Sequence, residues 1–318
     1  MNPIERGRNL VNTVRTGAQH AVEKTQNVVS NVTHGVSEAG HKVGQAVDGF
    51  ERKAANTVAK AEGVLGGIFG GSKPDKKYDG SLVGAGGQTY PPGTKLSQIP
   101  GVTPANNPNP SQTMIYVNGI NNDKATQFNS MQQIANSTGA KVIGVHNATE
   151  GMVADLAQCV TDKLDKGTNP AVDSLANTVY DELKAGRDVH LMAHSQGALI
   201  TSRALNDVAN RLRIEDGMSK GDVEKLMGKL QVETFGGAAA HFPDGPQYVH
   251  YVNNKDIVPT WFGQGNGTGV DEWARNGGKG AVIHRFDYGS GINGTHSLAD
   301  AYLPQRVPFD QARAGQFH

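Results

Sequence analysis

The chain predicts an α/β fold built on a mainly parallel sheet with helices on both faces. Three observations predict it. From about residue 113 onward, short β-branched runs alternate with longer stretches of helical period. One junction, Ala193-His-Ser195-Gln-Gly197, has the small-x-Ser-x-Gly form of a tight strand–turn–helix. An aspartate and a histidine, Asp256 and His296, each follow a later strand candidate.

Residues 1–72 have a grammar of their own. Small or apolar residues recur at Leu10, Ala21, Val32, Val43, Ala54 and Leu65, a step of eleven. A second row runs through Val14, Thr25, Val36, Val47 and Val58 with the same step. Eleven residues fill three helical turns, so such a stripe stays on one face. Polar residues fill the rest, and no proline falls between Pro3 and Pro74. The pattern predicts one or two long amphipathic helices. It resembles the eleven-residue repeats of lipid-surface and desiccation-linked proteins, which implies peripheral membrane contact through residues 1–72. Packing on the rest of the chain or on a partner, or disorder in isolation, are the competing readings.

Residues 73–112 are rich in Pro, Gly, Asn, Ser and Thr and read as a linker, its later part wrapping over the domain that follows. Residues 113–318 then form the α/β domain. Strands are expected at 114–117, 141–145, 189–193, 232–236, 248–252 and 281–286, and helices at 127–135, 153–164, 172–183, 196–208 and 298–303. Sites in such sheets lie beyond the C-terminal strand ends.

Composition narrows the function classes. Lys+Arg and Asp+Glu both number 30, so the net charge is zero and bulk electrostatics does not favour nucleic acid. Cys159 is the single cysteine, which leaves no intrachain disulfide. The N-terminus lacks the apolar run of a secretory signal, and no stretch is apolar enough to span a bilayer. These features predict a cytoplasmic chain, or one exported by a signal-independent route, peripheral at membranes.

The chemistry centres on Ser195. Small residues two before and two after it let a strand, a turn and a helix pack closely, and Ala193 and Gly197 fill those positions. The turn exposes the hydroxyl and sets it at a helix N-terminus, where Gln196 N–H is one candidate oxyanion donor. Gly119 or Ile120, after the first core strand, would supply the second. Asp256 can fix a histidine tautomer, and His296 can take the serine proton. The order Ser195, Asp256, His296 suits hydrolases of this sheet. Asp244 is the runner-up acid, and His284, His250, His241 and His194 are rival bases.

With those residues placed, the stretch from about 189 to 303 resembles the class 3 lipases of the α/β-hydrolase superfamily. Ala-His-Ser195-Gln-Gly resembles their elbow, Thr234-Phe-Gly236 the strand after it, Val252-Asn-Asn-Lys-Asp256-Ile-Val-Pro259 their acid-bearing segment, and Asp271-Glu-Trp273 a short motif beyond. His296 matches the base. The resemblance implies cleavage of triacylglycerol or phospholipid esters by Ser195, Asp256 and His296, with no metal and no cofactor. Two departures stand out: alanine replaces the first elbow glycine, and Asn118-Gly-Ile does not match the family's oxyanion segment. Small lipases with amphipathic extensions also occur among bacterial effectors, which implies an inhibitor or delivery protein as partner. Residues 213–230 and 263–280 are candidate lid or acyl-chain rim segments. The alternatives are a lipid-surface binding protein with an inactive hydrolase body, and an acyltransferase using the same three residues.

Overall fold

A computed structural model describes residues 75–120, 122–148, 169–265 and 275–317. The repeat stretch 1–72, the expected helix 153–164 and the Asp271-Glu-Trp273 motif lie outside the described residues.

The described chain opens with two two-residue strands, β1 (Leu82–Val83) and β2 (Thr89–Tyr90). Then come β3 (Thr113–Val117), α1 (Lys124–Thr138) and β4 (Lys141–Val145). Next are α2 (Pro170–Lys184), β5 (Val189–His194), α3 (Gly197–Ile214), α4 (Lys220–Met227) and β6 (Leu230–Phe235). They lead to β7 (Gln247–Asn253), α5 (Ile257–Phe262), β8 (Val282–Phe286) and α6 (Gly291–His296). A π-helical turn at Leu298–Tyr302, a 3-10 turn at Leu303–Gln305 and α7 (Phe309–Arg313) close it.

Local sequence sets the helix ends. Asp123 accepts from Thr126 N–H at the start of α1, and Gly139 takes the left-handed conformation at its end (φ 73°). Asn169 caps α2 ahead of Pro170, whose missing N–H costs nothing there.

The eight strands form one sheet in the order β2-β1-β4-β3-β5-β6-β7-β8. Strands β3 to β8 pair in parallel, and β1 and β2 add in antiparallel fashion. Side chains alternate along each strand. Met114 and Tyr116 share a core with Met131 and Ile134 of α1 and with Leu298, Tyr302 and Phe309 of the C-terminal segment. Ile115 and Val117 point the other way and are equally buried. On that side α2 and α3 pack on each other and on the central strands. Helical layers therefore cover both faces, as runs such as Ile115 beside Tyr116 require.

The stretch expected as a linker turns out to be part of this unit. Leu82 and Val83 are fully buried and pair with β4, and Val102 bridges Val142. Two-residue strands carry no periodicity, so composition alone reads them as loop. Of the two candidate rim segments, residues 213–230 form the end of α3 and α4, and α4 buries Val223 and Met227. Residues 266–274 of the other lie outside the described residues.

Topology positions the site. From β3 the chain steps to β4 on one side, then returns so that β5 lies on the other side of β3. The C-terminal ends of β3 and β5 thus flank a point where the strand order reverses, the usual place for a ligand in such sheets.

Candidate active site

Ser195 follows β5 in the left-handed region at φ 57°, and it is the only non-glycine residue with positive φ among the described residues. Such a conformation costs roughly 1–3 kcal/mol and persists only when the surroundings impose it. They do: Ser195 N–H donates to Phe235 O at 3.1 Å, and Ser195 O accepts from Ala238 N–H at 2.9 Å. Glycine is required on the helix side of the turn, because a Cβ on Gly197 would lie 2.3 Å from Val117 O. Ala193, buried and paired with Val117 and Thr234, is small enough for the strand side. Gly119 lies directly against the serine: a Cβ there would sit 2.9 Å from Ser195 Cβ and 3.3 Å from its Oγ.

Asp256 ends the β7 connection and caps α5. Its Oδ1 accepts from Val258 N–H at 2.9 Å. Its Oδ2 lies 2.6 Å from His296 Nδ1 and accepts from the Tyr302 hydroxyl at 2.5 Å. The carboxylate is fully buried, whereas the His296 side chain keeps 12% exposure. With Nδ1–H aimed at the carboxylate, Nε2 is the His296 nitrogen that carries the acceptor lone pair. His296 is the last residue of the one-turn helix α6.

Two further side chains hold that helix. Asn253 donates through Nδ2 to the carbonyls of Tyr288 and Thr295, each at 2.9 Å, and its Oδ1 accepts from Tyr288 N–H at 3.1 Å. His194, next to Ser195 in the chain, donates from Nε2 to His296 O at 2.9 Å, and the two rings lie 4.7 Å apart. Burial, with the nearby His296 second, pushes His194 down to about 3. Its ring is neutral, with the proton on Nε2. Ser195 is therefore tied to His296 through its neighbour His194, which lies 102 positions before that histidine in sequence.

A set of buried amides joins the ends of β3, β4 and β5. Asn147 Nδ2 donates to Gln196 Oε1 at 2.9 Å, and Asn147 N–H donates to Asn118 Oδ1 at 2.9 Å. Asn118 Nδ2 donates to the carbonyls of Asn147 and Gly119 at 2.8 and 2.9 Å. Asn122 Nδ2 donates to Gly119 O and Ile120 O, both at 3.0 Å. Asn118, Gly119 and Asn122 are thereby fixed relative to Gln196, which starts the turn into α3.

Of the rival groups, His194 belongs to this cluster, while His250, His284 and Asp244 have other partners. His250 is buried within β7, bonded to Thr234 Oγ1 at 2.8 Å and to Gly277 O at 2.8 Å, and burial pushes it down to about 4. His284 stacks on Phe317 at 3.9 Å. Asp244 accepts from Lys279 N–H. Among the described residues no group of three or more His, Cys, Asp and Glu side chains could hold a metal ion. No described helix is long and apolar enough to cross a membrane.

A second carboxylate–histidine pair lies under the same face of the sheet, on strands β5 and β6 themselves. Glu233 Oε1 is 2.7 Å from His190 Nε2 and accepts from Arg306 Nη2 at 2.9 Å. Burial works to raise the Glu233 carboxyl, but the His190 hydrogen bond and the Arg306 charge outweigh it and hold it below its ordinary value.

The structure brings Asp256 and His296 together and ties His296 to His194, the neighbour of Ser195. Tyr302 and Asn253 join this cluster without a sequence motif of their own that points to it. Comparison of the chain with protein-family models, curated proteins and solved structures finds no match.

Proposed function

We propose that the chain is a serine carboxylester hydrolase of the α/β-hydrolase type, cleaving lipid acyl esters through an acyl-serine intermediate. The observation that carries the reading is the buried Asp256–His296 pair, joined through His194 to a serine held at φ 57°. Serine, acid and histidine follow β5, β7 and β8 in that order, which fits hydrolases with a strand–turn–helix serine.

In this reading Ser195 Oγ attacks the ester carbonyl carbon while His296 Nε2 takes its proton. The tetrahedral oxyanion is received by Gln196 N–H and by an N–H of Gly119 or Ile120. Collapse expels the alcohol, which leaves with the proton from His296. Water then attacks the acyl-serine by the same route and frees the acid. Asp256 stays ionised throughout and stabilises the imidazolium. No metal or cofactor is called for. The lipid character rests on the likeness of 189–303 to class 3 lipases and on the eleven-residue repeat of 1–72, which would bring the enzyme to a lipid surface.

Hydrolysis of short acyl esters and labelling by a fluorophosphonate test the reading. Ser195→Ala should lower kcat by about 10⁴-fold or more and abolish labelling. Full activity in that variant overturns it. Incubation with a mixed lipid extract, read by mass spectrometry, then identifies the ester cleaved.

A further inference from the structure

Asp256 poses a physical problem. It is fully buried, and among the described residues its one ion-pair partner is His296. That histidine is neutral for much of the proposed cycle. A buried carboxylate needs donors to stay ionised. Val258 N–H satisfies Oδ1. On Oδ2 a second donor, the Tyr302 hydroxyl at 2.5 Å, sits beside His296 Nδ1.

We propose that Tyr302 is a positioning residue for the acid–base pair, holding Asp256 Oδ2 on His296 Nδ1 and keeping the carboxylate charged in both protonation states of the ring. The proposal rests on the hydrolase reading. A phenol suits the task better than a cation. It gives a hydrogen bond without adding a positive charge that would oppose the imidazolium. Burial, then the Asp256 charge and the hydrogen bond, push the Tyr302 phenol well above its ordinary value, so it remains a donor.

The ring is placed for this. Tyr302 is fully buried, packed edge-on to Phe286 and Phe235 at 5.5 and 6.5 Å, and its oxygen accepts from Asn253 N–H at 3.4 Å. Four residues on, Arg306 fastens the segment to Glu233. The titratable groups facing the phenol are Asp256 and, on neighbouring elements, His296 and His194.

Tyr302→Phe keeps the ring and removes only the donor. On a short acyl ester, kcat should fall about 10- to 100-fold with KM unchanged. The carboxylate then leaves more charge for the imidazolium, so the acid limb of the kcat/KM–pH profile should move to higher pH. The downfield Nδ1 proton of His296, read by NMR, should shift as well. Difluorotyrosine at position 302, a stronger donor, should move the acid limb the opposite way. A role in folding alone would lower Tm and leave limb and resonance in place. If Tyr302→Phe matches the wild type in kcat, acid limb and Nδ1 resonance, the proposal fails. If the wild type neither hydrolyses acyl esters nor takes the fluorophosphonate, the hydrolase reading fails instead, and the resonance still reports the phenol's hold on the pair.

Discussion

Two carboxylate–histidine pairs lie under one face of this sheet, and the proposed chemistry uses only one of them. Asp256 and His296 approach to 2.6 Å, Glu233 and His190 to 2.7 Å, and both carboxylates are fully buried. Distance and burial do not separate them. Their third partners do. Glu233 is matched by the permanent charge of Arg306, and the pair is locked into strands β5 and β6. Asp256 is met by a neutral phenol, at the strand ends, and its histidine is tied to the neighbour of a strained serine. A carboxylate already spoken for by a guanidinium has little field left for an imidazolium. One without a fixed cation can answer a charge that comes and goes.

The sharpest way to break that contrast is to remove each histidine. His296→Gln should lower short-ester kcat by about 10⁴-fold. His190→Gln should stay within about threefold of wild type once folded protein is compared. Equal losses would erase the distinction. Stability should run the other way. Arg306→Met leaves the Glu233 charge buried without its cation and should cost about 3–5 kcal/mol in denaturant unfolding. A loss under about 1 kcal/mol would mean the arginine is ornamental.

The smallest effect is the pH dependence of the Glu233–His190 pair. The folded Glu233 carboxyl lies below its ordinary 4.5. Its contribution is therefore complete above that value and is lost as pH falls through the lower folded one. Unfolding curves taken from about pH 6 down to about pH 2 should show this loss, and Arg306→Met should flatten it.

Much of this was legible in the sequence because it is local. The parallel strands announce themselves as β-branched runs, and the serine turn is spelled by five consecutive residues. Asp256 and His296 follow their strands directly, so order along the chain suffices to nominate them. What stayed hidden is long-range. Tyr302 meets Asp256 across 46 residues, and Arg306 meets Glu233 across 73. A tyrosine inside an apolar turn gives no sign that its hydroxyl has an appointment elsewhere. The short strands β1 and β2 escape the sequence for another reason: two residues are too few to show alternation, so the Gly- and Pro-rich setting decides the reading.

The backbone angle at Ser195 sets comfort against chemistry. Glycine would relax that turn, so the substitution that best suits the scaffold is the one that removes the hydroxyl.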